Sequence, residues 1–344
     1  MHHAAYGSGE QVIIDMHAHV TPERFKKAIR EQGNWYGLGP AAGELGLGGF
    51  DNPLEVRLAE MDALGVDCQV VTPNVGFYQY TNDLEVTRAV ARECNDEIAE
   101  MVSAYPDRFA GMGTVPMQDV RSAIAELERV MGNLGLAGVM INDHAAGVTY
   151  DEPAMLPFFK AAEAAGAIVF FHQGGGTCVD TRIKRYKLGN AVGNLTERAL
   201  AFGALVFGGV MDACPDLRPL LAHAGGMTAF GIARMDKVAG VFDPRDDAGN
   251  LVPRFGRGPD DLYAIDSAPS DYLPRFWYDC CTYSGPVLRL LIDTVGIDQI
   301  VLGTDYPAPM VLADAVNWIR GLDELSASEQ EAILSTNPAR LLHG

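Results

Sequence analysis

No apolar run in this 344-residue chain reaches the roughly 18 residues that cross a membrane as a helix, so nothing reads as a membrane span. Positive charge is scarce: 26 Lys and Arg stand against 45 Asp and Glu, a formal net charge of −19. Nucleic acid and anionic membranes are bound by clustered Lys and Arg, so neither is expected as a partner. A small anionic ligand remains compatible, because a pocket can be locally basic inside an acidic protein. None of the six cysteines forms a Cys-x-x-Cys pair, and several lie in apolar, strand-like runs where free Cys behaves as a small hydrophobe. That excludes a disulfide framework and points to a reducing compartment, by default the cytoplasm. Residues 1–11, with His2, His3 and Gly7-Ser8-Gly9, lack an apolar segment and read as a flexible polar arm rather than a signal peptide.

What is present is a repeating alternation. With 48% hydrophobic residues the chain can bury a full core without disulfide or metal staples. Short apolar strands are expected at 11–17, 67–73, 108–115, 137–142, 167–172, 218–223, 276–281 and 299–305. Helical stripes fall at 53–64 (Leu54, Leu58, Met61, Leu64), 85–104, 119–133, 153–165, 194–213, 286–295 and 310–322. Ser326 with Glu329 three residues on has capping-box spacing and opens a last helix. Alternating β and α units imply a parallel sheet, and eight of them fit a closed (β/α)8 TIM barrel. A doubly wound sheet is the rival, weakened by the absence of Gly-x-Gly-x-x-Gly after the first strand. Residues 12–344 are expected to form this single barrel domain. Residues 30–52 and 241–275 fit no β/α unit and read as insertions over the C-terminal face of the strands.

Polar residues punctuate the strand ends. The run Val12-Ile13-Ile14-Asp15-Met16-His17-Ala18-His19 places two histidines two residues apart, hence on one side of a strand. Neutral imidazole is a good ligand for zinc and similar divalent ions. His172 ends the fifth strand, His223 the sixth and Asp305 the eighth. All would lie at the face where barrel active sites are built. A lone strand-end histidine is usually tied to backbone; four convergent positions are not readily explained so.

These motifs together resemble the amidohydrolase superfamily. They are His17-Ala18-His19 after Ile-Asp, His172, His223 followed by Ala-Gly-Gly, Gly303-Thr304-Asp305-Tyr306-Pro307, and Arg57-Leu58-Ala59-Glu60-Met61-Asp62 ahead of Gly65-Val66-Asp67. The similarity is greatest to the branch that includes aminocarboxymuconate-semialdehyde decarboxylase and related aromatic-acid decarboxylases, and it runs from about Ile13 to Leu342. The resemblance implies one divalent ion, zinc first and manganese second, held by His17, His19, His172 and Asp305. It implies His223 as acid/base, with Asp305 alternating between ligand and proton carrier. The fourth strand ends in Asn142-Asp143-His144, with no candidate for the carboxylated lysine that bridges two metals elsewhere in the superfamily. His144 reads as a solvated loop residue.

The implied activity is a metal-dependent, non-oxidative decarboxylation of a small aromatic or unsaturated, muconate-like carboxylic acid. The alternative is a metal-dependent hydrolase of an ester, lactone or C–C bond, or a hydratase. A non-catalytic metal binder is a third reading, against which His223 beside a full ligand set counts. Arg234, eleven residues after His223, matches an arginine that grips substrate carboxylate in the relatives, sometimes across a homodimer interface; Arg182, in Arg182-Ile183-Lys184-Arg185, matches a basic segment. For both, a solvated charge is the plain alternative. No arginine lies between Arg30 and Arg57, where the semialdehyde decarboxylase supplies a second one, so a differently charged acid is expected. Trp35, Tyr36, Phe77, Tyr78 and Tyr80 could line an aromatic-ring pocket or simply pack. A homodimer is expected, with 241–275 as a contact.

Overall fold

Eight parallel strands pair in chain order around a barrel, in a computed structural model that describes residues 11–38, 48–242, 265 and 267–344. They are β1 (Ile14–Val20), β2 (Cys68–Pro73), β3 (Phe109–Gly113), β4 (Gly138–Ile141), β5 (Ile168–Phe171), β6 (Arg218–Leu221), β7 (Trp277–Asp279) and β8 (Ile300–Val301). Near-continuous burial along β1, β2, β4 and β5 explains why β4 and β5 are apolar throughout, and it also buries Asp15, His17 and His19 of β1 and Gln69 and Thr72 of β2: helices cover one face and the barrel interior the other. The expected (β/α)8 architecture is what forms.

Helices fill the connections: α1 (Glu23–Gln32), α2 (Leu54–Leu64), α3 (Leu84–Ala104), α4 (Val120–Gly132), α5 (Leu156–Ala164), α6 (Asn194–Phe207), α7 (Thr228–Phe242), α8 (Gly285–Val295) and α9 (Ala315–Arg320). Phe158 and Phe159 of α5, Phe171 of β5 and Phe202 of α6 are fully buried between the layers. Each such side chain contributes roughly 1.5–3 kcal/mol by leaving water. Among the described residues no disulfide links the cysteines and no helix is long and apolar enough to cross a membrane.

The seam between β8 and β1 sets the geometry of the barrel mouth. Regular pairing of β8 stops at Val301, short of the expected 299–305, and single bonds carry the closure onward. Met16 N donates to Leu302 O at 2.9 Å, Asp305 N to His17 O at 2.9 Å and His19 N to Tyr306 O at 2.6 Å. Beyond Val301 the segment no longer pairs regularly, and at Asp305 it takes a left-handed conformation, φ 63°. On its other side β1 carries one extra residue between Asp15 and Ala18 relative to β2, a bulge that tilts the His17 segment.

Two helices escape the sequence pattern. In α1 the apolar Phe25, Ala28 and Ile29 are diluted by charge, and α7 contains Gly231 and Gly240, which are poor helix formers. The expected insertion at 30–52 is therefore partly helix. Its residues 39–47, most of 241–275 and the arm at 1–10 lie outside the described residues.

The capping box is present: Ser326 Oγ accepts from Glu329 N at 3.3 Å, and Glu329 Oε2 accepts from Ser326 N at 2.8 Å. Ser326→Ala should cost about 1 kcal/mol. The check is a urea titration, in which the midpoint falls at unchanged slope; an unmoved midpoint would show the cap to be idle.

Candidate metal centre

His17, His19 and His172 each have one ring nitrogen tied outward, which leaves the other facing the centre. His17 Nδ1 lies 2.7 Å from Asp279 Oδ2, a carboxylate that can only accept, so this nitrogen carries a proton. His19 Nδ1 lies 2.9 Å from Thr72 Oγ1, whose own hydrogen goes to Ala18 O at 3.1 Å, so His19 too donates through Nδ1. His172 Nδ1 faces the carbonyl of Gln173 at 3.2 Å and must donate as well. Outward N–H groups on carboxylate, hydroxyl and carbonyl are the support that metal-ligating histidines ordinarily have.

The inward atoms converge. His17 Nε2 and His19 Nε2 are 3.2 Å apart, and Asp305 Oδ1 stands 3.3, 3.1 and 3.8 Å from Nε2 of His17, His19 and His172. His172 Nε2 is buried with no hydrogen-bond partner among the described residues. Two ligand atoms about 2.0–2.1 Å from one zinc ion at near-tetrahedral angles lie about 3.3 Å apart. Three imidazole nitrogens and a carboxylate oxygen at these separations therefore fit a divalent ion that takes N and O ligands.

Electrostatics agree. Burial depresses the histidine cations, but Asp305 and Asp279 outweigh it at His17 and raise its pKa to about 10. His19 and His172 are lowered, chiefly by burial, and stay neutral. Burial would raise the Asp305 carboxyl, yet His17, His172 and His19 hold it well below the usual range. The pocket has a place for one positive charge, and either a proton on His17 or a metal ion can fill it.

Asp305 is two-sided: Oδ1 meets the three imidazoles, whereas Oδ2 lies 3.6 Å from His223 Nε2. Ligand atoms of His17, His172, His223 and Asp305 all fall within 4.8 Å of one another, so His223 belongs to the same cluster but on the far oxygen. His223 and Ala224 hold left-handed backbone (φ 53° and 58°), as Asp305 does, at a cost of order 1–3 kcal/mol each. This sharp turn brings the imidazole back over the barrel mouth.

Several supporting residues carry little sequence signal. Asp279, at the end of β7, orients His17 and accepts backbone N–H from His223 at 2.8 Å, Ala224 at 2.7 Å and Cys281 at 3.0 Å. Its one signal is that of a strand-end carboxylate, the same one that singles out Asp305. Asp15 bonds Thr304 N at 3.0 Å and Thr304 Oγ1 at 2.6 Å, tying β1 to the Asp305 segment. Arg57 donates to His19 O at 3.0 and 2.9 Å and to Gln69 Oε1 at 2.8 Å. Gly303 has to be glycine, because a Cβ there would sit 2.7 Å from that of Asp279 and 2.9 Å from that of His17.

The expected substrate arginines are not brought to the cluster within one chain. Arg182 and Arg234 are exposed, and neither side chain has a hydrogen-bond or ion-pair partner among the described residues. The aromatic group divides: Trp35 and Phe77 pack with Phe25, Tyr36 is exposed, and Tyr78 stacks on Tyr80 at 5.4 Å. For Trp35 and Phe77 the plain packing reading holds. His144 accepts from Gly147 N at 2.9 Å in its own loop, away from the cluster.

Comparison with known proteins places the whole barrel. The family model described as amidohydrolase matches residues 14–344. A 2-amino-3-carboxymuconate-6-semialdehyde decarboxylase of Dictyostelium discoideum is 30% identical, with 96% of this chain and 91% of that protein covered. A gamma-resorcylate decarboxylase of Rhizobium radiobacter is 27% identical over 83% of this chain and 86% of its own length. The crystal structure of a 5-carboxyvanillate decarboxylase from Sphingomonas paucimobilis superposes with a TM-score of 0.82 at 28% identity, covering 97% of this chain and 99% of that one.

A proton held at His17 up to about pH 10 must leave when a cation binds. Between pH 7 and 9 the ion-free protein should release about one proton per ion, and its apparent metal affinity should rise about tenfold per pH unit. Proton release in weakly buffered solution checks this; pH-independent binding without release would show that the ion does not engage His17.

Proposed function

The chain belongs to the amidohydrolase family, and on that premise we propose that it is a metal-dependent, non-oxidative decarboxylase of a small aromatic or unsaturated carboxylic acid. The observation that carries this reading is the division of Asp305, one oxygen toward three imidazole nitrogens and the other toward His223. The decarboxylase names of the relatives support the same class.

His17, His19, His172 and Asp305 would hold one divalent ion, with zinc the best match to three nitrogens and one oxygen and manganese the second. When bound, such an ion polarises a substrate hydroxyl or carboxylate oxygen and orients it. His223 delivers a proton to the ring or chain carbon that bears the carboxylate. As the C–C bond breaks, CO2 leaves with that carbon now holding the proton. Asp305 Oδ2 lies on the side from which an imidazolium at His223 is stabilised. The 3.6 Å gap is longer than a hydrogen bond, so the pair is set for a small shift or one bridging water.

Substrate charge calls for a cation. Arg234 on α7, exposed and without a hydrogen-bond or ion-pair partner among the described residues, is assigned to a neighbouring subunit's substrate in a homodimer; Arg182, exposed in the segment after β5, is the second candidate. The partner is a small anionic acid, and six unbridged cysteines, all buried but Cys178, suit the cytoplasm.

Hydroxybenzoates and muconate-type acids should release CO2 with the metal-loaded protein. His223→Asn should lower kcat by about 10²–10⁴ with metal content retained. Uptake of water without CO2 would favour the hydrolase or hydratase reading, and full activity in His223→Asn would remove the assigned acid.

A further inference from the structure

Of the three inward-facing histidines, His172 has the weakest side-chain support. His17 and His19 are held by side chains from other strands, whereas His172 Nδ1 meets only the carbonyl of the next residue at 3.2 Å. Its placement comes through the backbone instead. Tyr78 OH donates to His172 O at 2.8 Å, and Asn142 Oδ1 accepts from Gly174 N at 2.8 Å. Gly174 is where the Tyr78 ring passes: a Cβ there would lie 2.6 Å from a ring carbon. Tyr150 OH in turn donates to Asn142 O at 2.5 Å.

Beside Asn142 lies a feature that neither the barrel fold nor the chemistry requires. Arg198 of α6 is fully buried and heads the largest buried side chains, and it pairs with Asp143 directly after Asn142. The pairing is incomplete, since Arg198 Nε and Nη2 and Asp143 Oδ2 are buried without hydrogen-bond partners among the described residues. Burial pushes the Asp143 carboxyl up to about 7 despite the arginine. A buried pair with unmet donors is a weak stabiliser, and apolar replacements of similar volume are often neutral or stabilising.

The geometry points to Asp143 and Arg198, with Tyr78, as positioning residues that fix the third imidazole by locking the ends of β4 and β5 to α6. They touch neither substrate nor the reacting atoms. This rests on reading His172 as a metal ligand.

Co2+ titration of the metal-free protein, followed by visible absorption, tests it. The double variant Asp143→Leu/Arg198→Met should keep or raise the thermal midpoint while Co2+ affinity falls about tenfold and the absorption bands shift. Tyr78→Phe, which loses one hydroxyl, should move affinity and spectrum the same way and provides the test if the double variant does not fold. Affinity within twofold of the parent with an unchanged spectrum, in folded variants, would overturn the proposal alone. A parent protein that binds no Co2+ would overturn the metal reading with it.

Discussion

Lone pairs and a carboxylate aimed at one another in a space closed to water repel unless something positive sits between them. Here the inward nitrogens of His17, His19 and His172 and Asp305 Oδ1 lie 3.1–3.8 Å from one another where the contacts are shortest, with every residue at most 5% exposed. In such a setting charges interact far more strongly than in water. The surrounding Nδ1 partners fix the imidazoles so that they cannot turn away. The demand for one cation is therefore a property of the fold.

The backbone reaches this arrangement by departing from ideal barrel geometry where the clustered side chains are. The bulge in β1 tilts the His17 segment, and the left-handed Asp305 and His223 turn their side chains back over the mouth. Asp279 then ties two of these pieces together, bonding the His17 ring and the backbone of the His223–Ala224 turn. Gly303 lets two strands approach closely enough for that to happen. Strain and close approach at the C-terminal face are offset by the aromatic core below, with Phe170 packed edge-on against His17 at 4.9 Å.

Period and punctuation make the eight strands and most helices legible, because buried parallel strands are apolar runs and the helices between them are amphipathic. The ligand candidates are legible for the same reason: a histidine or aspartate directly after an apolar run stands out. Asp279 obeys that rule too, but its role is hidden in the sequence, since its partners are set by tertiary contacts from β1 and β6. Tyr78 reads as one more ring-lining aromatic, because sequence does not show that its hydroxyl reaches the carbonyl of His172 just past β5. Arg198 lies within an ordinary amphipathic helix, where an arginine normally points to water. The glycines of α7 mask its helical pattern, although it carries Arg234.

The most direct test is the transition-metal content of the protein purified without chelators. The cluster of His17, His19, His172 and Asp305 predicts about one equivalent per chain, retained through gel filtration. Less than about half an equivalent of any such metal, in folded protein, would contradict it.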